Sequence, residues 1–378
     1  MSFYNPTELY CGSPDFAELI GSSRKKALLV TDPYMVKSGT YQYVMEPFHA
    51  MGIDVIVFSD IVPDPTIDQV AAGVDVMLSE NPDVLVALGG GSAIDTAKAI
   101  LYFAKKAGCQ SSVYFLVIPT TSGTGSEMTS FSVITNPKNK QKYELIDDCM
   151  LPQASVLDPT LTVSVPPRVT ADAGIDVLTH AIEAFVSPSA SDFTDACAEK
   201  AIQLVNRWLV TAYQRSGHLK ARASMHHASC LAGMAFNHAS LGINHSLAHA
   251  IGPWASLPHG RTNGILLPYV IAFNSDDRGR DLPPTERYAE LAVILGCSSD
   301  KPRQATRNLI RSIMKMRSDL DIPASFQEAG VRENEFMSAL DDLAERALND
   351  RCTAGNPVGV TVSDLKNIYL NAYYGRWR

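Results

Sequence analysis

Four short apolar runs confine the first part of this 378-residue chain to one kind of architecture. Residues 27–31, 55–58, 84–88 and 113–118 are rich in Val, Ile and Leu and bounded by Asp, Gly or Pro. A strand that is apolar at every position is buried on both faces, as in a parallel sheet covered by crossover helices. Between these runs, 65–80 and 93–107 carry helical periodicity. From about Thr170 the strand signal fades and amphipathic helical stretches take over at 170–186, 191–213, 220–237, 241–253, 284–295, 302–317, 334–348 and 363–374. Breaks fall at Pro188, Ser216-Gly217, Pro258 through Gly264, Pro283-Pro284 and Gly355-Asn-Pro357. The paired prolines in Ser164-Val-Pro-Pro-Arg168 mark the change of regime. The expectation is a doubly wound α/β parallel-sheet domain over 1–167 and an all-helical domain over 168–378, with ligands at the carboxyl ends of the strands.

Composition narrows the function classes. A net charge of −8, with no basic run longer than Arg24-Lys25-Lys26, argues against nucleic acid or an anionic membrane as the main partner. No apolar stretch reaches membrane-spanning length, and the first residues lack the charged-then-apolar layout of a secretory signal. The seven cysteines are scattered and form no Cys-x-x-Cys, as expected for reduced thiols in a cytoplasmic protein.

The run at 84–88 leads into Gly89-Gly-Gly-Ser-Ala-Ile-Asp95. Three glycines at a strand end let backbone amides approach a phosphate, and the following helix N-terminus favours an anion there. A plain strand–helix turn rarely needs three. Ser92 is expected to cap that helix, with Asp95 in the capping-box position. The next strand opens into Pro119-Thr-Thr-Ser-Gly-Thr-Gly-Ser-Glu127, a hydroxyl-rich surface suited to ribose and phosphate, although an ordinary loop has the same composition. Asp32 follows the run at 27–31, where a carboxylate bonds the adenosine ribose and repels a 2′-phosphate, favouring NAD over NADP.

Four of the nine histidines lie in a second pattern, Asp176-Val-Leu-Thr-His180 and His245-Ser-Leu-Ala-His249, followed by His259 in a Pro-His-Gly turn. Residues four apart share a helix face, and a lone Asp-x-x-x-His is more often a surface pair than a ligand set. A second such pair inside an apolar helix changes the balance, because burying imidazoles without partners is costly. Three or four imidazoles with a carboxylate suit Fe²⁺ or Zn²⁺ and can leave a coordination position open. Spacing alone leaves five candidates. The remaining histidines, His49, His218, His226, His227 and His238, read as structural or surface residues.

Taken together, these runs resemble the iron-containing (group III) alcohol dehydrogenases over nearly the whole chain. The likeness is carried by Asp64-Pro-Thr66, Gly89 through Asp95, Ile118 through Glu127, Gly174 through Glu183, and His245 through His249 with Pro258-His-Gly260. Ser187 through Asp195 and Leu231 through Phe236 look closest to the propanol dehydrogenases of bacterial propanediol-utilisation clusters. The resemblance implies a dinucleotide-binding domain, a helical metal- and substrate-binding domain, and a cleft between them. It implies Asp176, His180, His245 and His259 as ligands of Fe²⁺, alternatively Zn²⁺, with His249 as a catalytic proton relay near the nicotinamide. It implies NAD contacts from Asp32, Gly89, Gly90, Gly91, Ser92, Thr120, Thr121, Thr124, Lys142 and Leu161. The expected reaction is NAD(H)-linked interconversion of short-chain primary alcohols and aldehydes by a homodimer or larger homo-oligomer, with microcompartment association a further expectation. The rivals are a lyase or synthase resembling dehydroquinate synthase, a glycerol, diol or lactaldehyde oxidoreductase, and an inactive scaffold subunit. Trp254 through Leu257 and Leu266 through Tyr269, read as the surroundings of the metal motif, favour a small neutral substrate over a polyanion.

Overall fold

The computed structural model describes residues 3–62, 65–109, 112–138, 141–275 and 283–376. It comprises two compact units, Met1–Ser164 and Val165–Arg378.

The first unit holds strands β1 (Glu8–Cys11), β2 (Lys26–Thr31), β3 (Asp54–Phe58), β4 (Val84–Gly89), β5 (Tyr114–Pro119), β6 (Phe131–Asn136), β7 (Gln141–Ile146) and β8 (Ala154–Leu157). Its helices are α1 (Phe16–Ile20), α2 (Pro33–Lys37), α3 (Gln42–Ala50), α4 (Ile67–Glu80) and α5 (Gly91–Lys106). Six strands form a parallel sheet in the order β1-β8-β5-β4-β2-β3, and β6 and β7 pair as a separate antiparallel hairpin. Alternate residues of the central strands feed two cores. Leu28, Val30, Leu85, Ala87, Phe115 and Val117 pack under α4 and α5. Ala27, Leu29, Val84, Val86, Leu116 and Ile118 pack on α1 and α3. Two buried faces explain the unbroken apolar runs.

From β2 the chain winds outward to β3, whereas β4 and β5 extend the sheet on the other side of β2. The carboxyl ends of β2 and β4 therefore flank the point where the winding reverses, the usual crevice of such sheets. Asp32 and Gly89 stand at those two ends.

The second unit contains α6 (Pro167–Val186), α7 (Asp192–Gln214), α8 (Leu219–Ala239), α9 (Ile243–Ala255), α10 (His259–Asn274), α11 (Pro283–Ile294), α12 (Pro302–Asp319), α13 (Glu333–Leu348) and α14 (Val362–Tyr374). Nearly every residue of α6 is buried, and α7, α8 and α10 pack around it. Helix α10 corrects the expected break at 258–264. Pro258, with φ −56° and ψ 139°, is the residue before the helix, and His259 is its first residue instead of part of a turn. Gly260 serves close packing: a Cβ there would lie 2.0 Å from the Asp172 carbonyl oxygen on α6. No helix among the described residues is long and apolar enough to cross a membrane.

Candidate metal centre and phosphate turn

Helix α6 carries Asp176, His180 and Glu183 on one face, at i, i+4 and i+7. Opposite them, α9 supplies His245 and α10 supplies His259. The Asp176 carboxylate lies 3.9 Å from His180 Nε2, 3.8 Å from His245 Nε2 and 3.7 Å from His259 Nε2. Two ligands about 2.1 Å from one tetrahedral ion stand about 3.4 Å apart, so these spacings suit a common cation with small adjustments. Asn263, one turn along α10, donates from Nδ2 to Asp176 Oδ1 at 2.7 Å, with His245 Nε2 at 3.2 Å and His259 Nε2 at 3.1 Å. Its amide orientation is set by Asn244, which donates to Asn263 Oδ1 at 2.8 Å. A carboxylate and two imidazole nitrogens thus converge on one small volume, an electron-rich pocket that fits a divalent ion. Buried His180 Nδ1 has no hydrogen-bond partner, and its ring stacks on His245 at 4.6 Å and meets Phe236 at 4.7 Å in a tilted contact.

The protonation states of the cluster suit metal binding. Burial, joined by the neighbouring imidazoles, drives His245 well below the usual histidine range, so it is neutral. Burial pushes Asp176 upward, but the three imidazoles and Asn263 outweigh it and hold the carboxyl below its ordinary value. Neutral imidazole and ionised carboxylate are the ligating forms.

Glu183 is a functional residue that the sequence reading did not assign. Its Oε2 bonds His245 Nδ1, which aims Nε2 at Asp176. Its Oε1 accepts the Asn244 amide at 2.7 Å at the N-terminus of α9. Burial pushes its carboxyl up to about 7 despite those amides. A carboxylate behind a ligating histidine fixes the tautomer and raises ligand basicity.

His249 lies one helical turn beyond His245, stacked on His259 with ring centroids 5.3 Å apart. Its Nδ1 bonds Asp350 Oδ2 at 2.9 Å. Burial acts upward on Asp350, but the His249 bond and the Cys352 amide hold it at about 2. The side chains of His249 and His259 are 30% and 42% exposed, against 1% for His245, so the cluster opens on their side. The segments expected around the metal motif have another role. Leu266, Leu267 and Tyr269 are buried core, and Trp254 lines a cavity of about 710 Å³ with residues such as Val331 and Glu335.

In the first unit, Asp32, Gly89, Gly90, Gly91, Thr120, Thr121 and Thr124 are brought together. A Cβ on Gly89 would lie 3.3 Å from Asp32 Oδ2, one on Gly90 3.2 Å from Thr121 Oγ1, and one on Gly91 2.7 Å from Thr124 Cγ2. The Thr120 amide donates to the Gly89 carbonyl at 2.9 Å, and its buried Oγ1 has no hydrogen-bond partner. This glycine-lined cradle, rimmed with hydroxyls, fits a dinucleotide.

The expected Ser92 cap is corrected. The residue before α5 is Gly90, no side chain caps the helix, and Ser92 lies inside the first turn. Asp95 instead accepts from Ser126 Oγ at 2.7 Å and the Val133 amide at 3.1 Å. An uncapped first turn keeps its amides for a ligand. Leu161 follows β8 and lines a cavity of about 520 Å³ with Ser13, Thr40 and Tyr43. Lys142 belongs to β7, but its side chain lies outside the described residues, as does Asp64.

Comparison with known proteins places both units. The family model described as iron-containing alcohol dehydrogenase matches residues 6–159, and its C-terminal counterpart matches 170–373. The 1-propanol dehydrogenase PduQ of Citrobacter freundii is 41% identical, with 94% of this chain and 95% of the relative covered. The NADPH-dependent butanol dehydrogenase of Clostridium saccharobutylicum is 38% identical, with 99% and 98% covered. The solved iron-containing alcohol dehydrogenase of Thermococcus thioreducens superposes with a TM-score of 0.90 at 30% identity, over 99% of this chain and 100% of that one. With both units matched and full-length relatives on every side, the chain belongs to the iron-containing alcohol dehydrogenase family and is an oxidoreductase of that family.

Proposed function

We propose that this enzyme interconverts a short-chain primary alcohol, such as 1-propanol, and its aldehyde. NAD(H) carries the hydride, and Fe²⁺, alternatively Zn²⁺, is held by Asp176, His180, His245 and His259. The observation that carries the proposal is the convergence of His245 and His259 on Asp176, with His180 one turn along α6 and buried Glu183 bracing His245. When bound, the metal supplies a Lewis acid for the substrate oxygen, and the nicotinamide supplies or accepts the hydride. Glu183 and Asn263 orient the ligand set. Asp350 accepts the Nδ1–H bond of His249, which gives Nε2 the proton-exchanging role of a relay.

On this reading, residues 1–167 bind the dinucleotide through Asp32, Gly89, Gly90, Gly91, Ser92, Thr120, Thr121 and Thr124, with Lys142 and Leu161 as further contacts. Residues 168–378 bind metal and substrate. The Asp32 carboxylate, with Oδ1 accepting the Met35 amide at 3.0 Å, favours NAD over NADP by repelling a 2′-phosphate. The butanol dehydrogenase relative is described as NADPH-dependent, so parallel NADH and NADPH titrations of the wild type and Asp32→Gly test this point. The variant should gain on NADPH relative to NADH. A cytoplasmic homo-oligomer, with microcompartment association, completes the proposal, and sedimentation reads the assembly.

The direct test is NADH oxidation with propionaldehyde, glycerol-derived aldehydes and lactaldehyde, before and after chelation and with Fe²⁺ or Zn²⁺ restored. Propionaldehyde turnover that chelation abolishes and metal restores is expected. No turnover with any aldehyde and either metal would sink the proposal. His249→Ala should depress turnover while keeping metal content near wild type. Loss of metal in that variant would make His249 a ligand.

A further inference from the structure

Lys98, on α5 two turns beyond the glycine turn, has 0% relative exposure. A fully buried ammonium is uncommon without a matching carboxylate at contact distance, because desolvation penalises the charged form heavily. Lys98 instead has five oxygen atoms of one segment within hydrogen-bonding reach of its three N–H donors. They are Ser126 O at 2.5 Å and Oγ at 3.1 Å, Thr129 O at 2.6 Å and Oγ1 at 2.9 Å, and Phe131 O at 2.9 Å. Ser126 Oγ also donates to Asp95 Oδ1, one turn earlier on the same helix. The segment so held connects the hydroxyl-rich turn after β5 to the hairpin strand β6. The turn in question places Thr121 against Gly90 and Thr124 against Gly91.

We propose that Lys98 is the positioning residue of the dinucleotide surface, clamping residues 126–131 to α5 so that the Thr120–Thr124 hydroxyls stay docked beside the glycine turn. This rests on the dinucleotide reading above. A point charge with three rotatable donors can gather several carbonyl and hydroxyl oxygens, which the planar fork of arginine does less well. Removing it leaves those buried oxygens without their donor, and the turn they anchor is free to shift.

Burial pushes the Lys98 ammonium down to about 8, against Asp95 and Glu127, which pull it up. Burial likewise pushes Glu127 up to about 7, partly offset by its own backbone amide and by Lys98. Asp95 on α5 and Glu127 on the facing segment are the charged groups acting on Lys98 among the described residues. As pH rises through about 8 the ammonium is lost, so dinucleotide affinity should fall between pH 7 and 9.

NADH fluorescence titration on the full-length protein reads this without turnover. Lys98→Met should raise the NADH Kd about tenfold at pH 7 and flatten its rise toward pH 9, while metal content stays at the wild-type level. Thr129→Val, which removes one acceptor and keeps the volume, should raise Kd by a factor of about three. A folded Lys98→Met protein that binds NADH within about twofold of wild type, with an unchanged pH profile, overturns the proposal. If Lys98→Met does not fold, an unchanged Kd in Thr129→Val overturns it instead. Wild-type protein that binds neither NADH nor NADPH would show that the dinucleotide reading itself has failed.

Discussion

Glu183 shows how much a single buried carboxylate can decide. It binds no substrate in the proposed chemistry, yet it bonds His245 Nδ1 while its other oxygen takes the amide of Asn244. Glutamine keeps the shape and removes the charge. A glutamine must also present a donor to one of two positions that now donate to it, so either His245 or the α9 amide loses its partner. Glu183→Gln should weaken metal affinity by about 10–100-fold, measured by competition with a chelator of known affinity. Metal affinity equal to wild type would reduce Glu183 to a packing residue. The site was legible unevenly at this scale. The histidine spacing marked the centre, and Glu183 was detectable as i+7 from Asp176, although a helix of this burial carries other polar residues too. Asn263 sits one turn after His259, but the chain there read as a break. Asp350 had no local signal at all, because its partner His249 is 101 residues away and only the fold joins them.

At the scale of elements, the approach of α10 to α6 determines whether His259 reaches Asp176. Gly260 and Gly264 face Asp172 and Ile175, and a Cβ on Gly260 would lie 2.0 Å from the Asp172 carbonyl oxygen and 3.1 Å from Asp176 Cβ. The nearer atom is helix backbone and cannot swing aside. Gly260→Ala should therefore push the helices apart, cost about 1–3 kcal/mol of stability, and lower metal content with it. Denaturant unfolding and metal analysis of the purified variant read both effects. Wild-type stability together with full metal content would mean that the helices part without disturbing the cluster. The same glycines explain why α10 was missed: Pro and Gly are turn residues by frequency, but here Pro258 immediately precedes a helix and the glycines make room for a neighbour. Strands β2, β4 and β5 were readable because both of their faces are buried, whereas β3, read the same way, is the edge strand and only partly buried. Strands β1 and β8 are four residues each, and β6 and β7 pair outside the main sheet, so none carries the long apolar run that identified the others.

For the whole molecule, the two units place different chemistry in different halves of the chain, and ligand removal should expose that division. The candidate metal ligands all come from α6, α9 and α10, within Val165–Arg378. The glycine turn and the hydroxyl-rich turn lie within Met1–Ser164. A ligand that binds only the native state stabilises it by RT ln(1 + [L]/Kd), about 2.7 kcal/mol at one hundred times Kd. That slows amide exchange about 100-fold for openings that release the ligand. Chelation should therefore raise hydrogen exchange in peptides from α6, α9 and α10, and leave β4 and the start of α5 near their starting rates. Saturating NADH should protect peptides spanning 89–94 and 119–127. Metal removal that loosens only the first unit, or NADH protection confined to the second, would be incompatible with this division of roles. Exchange measured peptide by peptide separates a misassigned ligand from a misassigned unit, because the first moves protection within a half of the chain and the second moves it between halves.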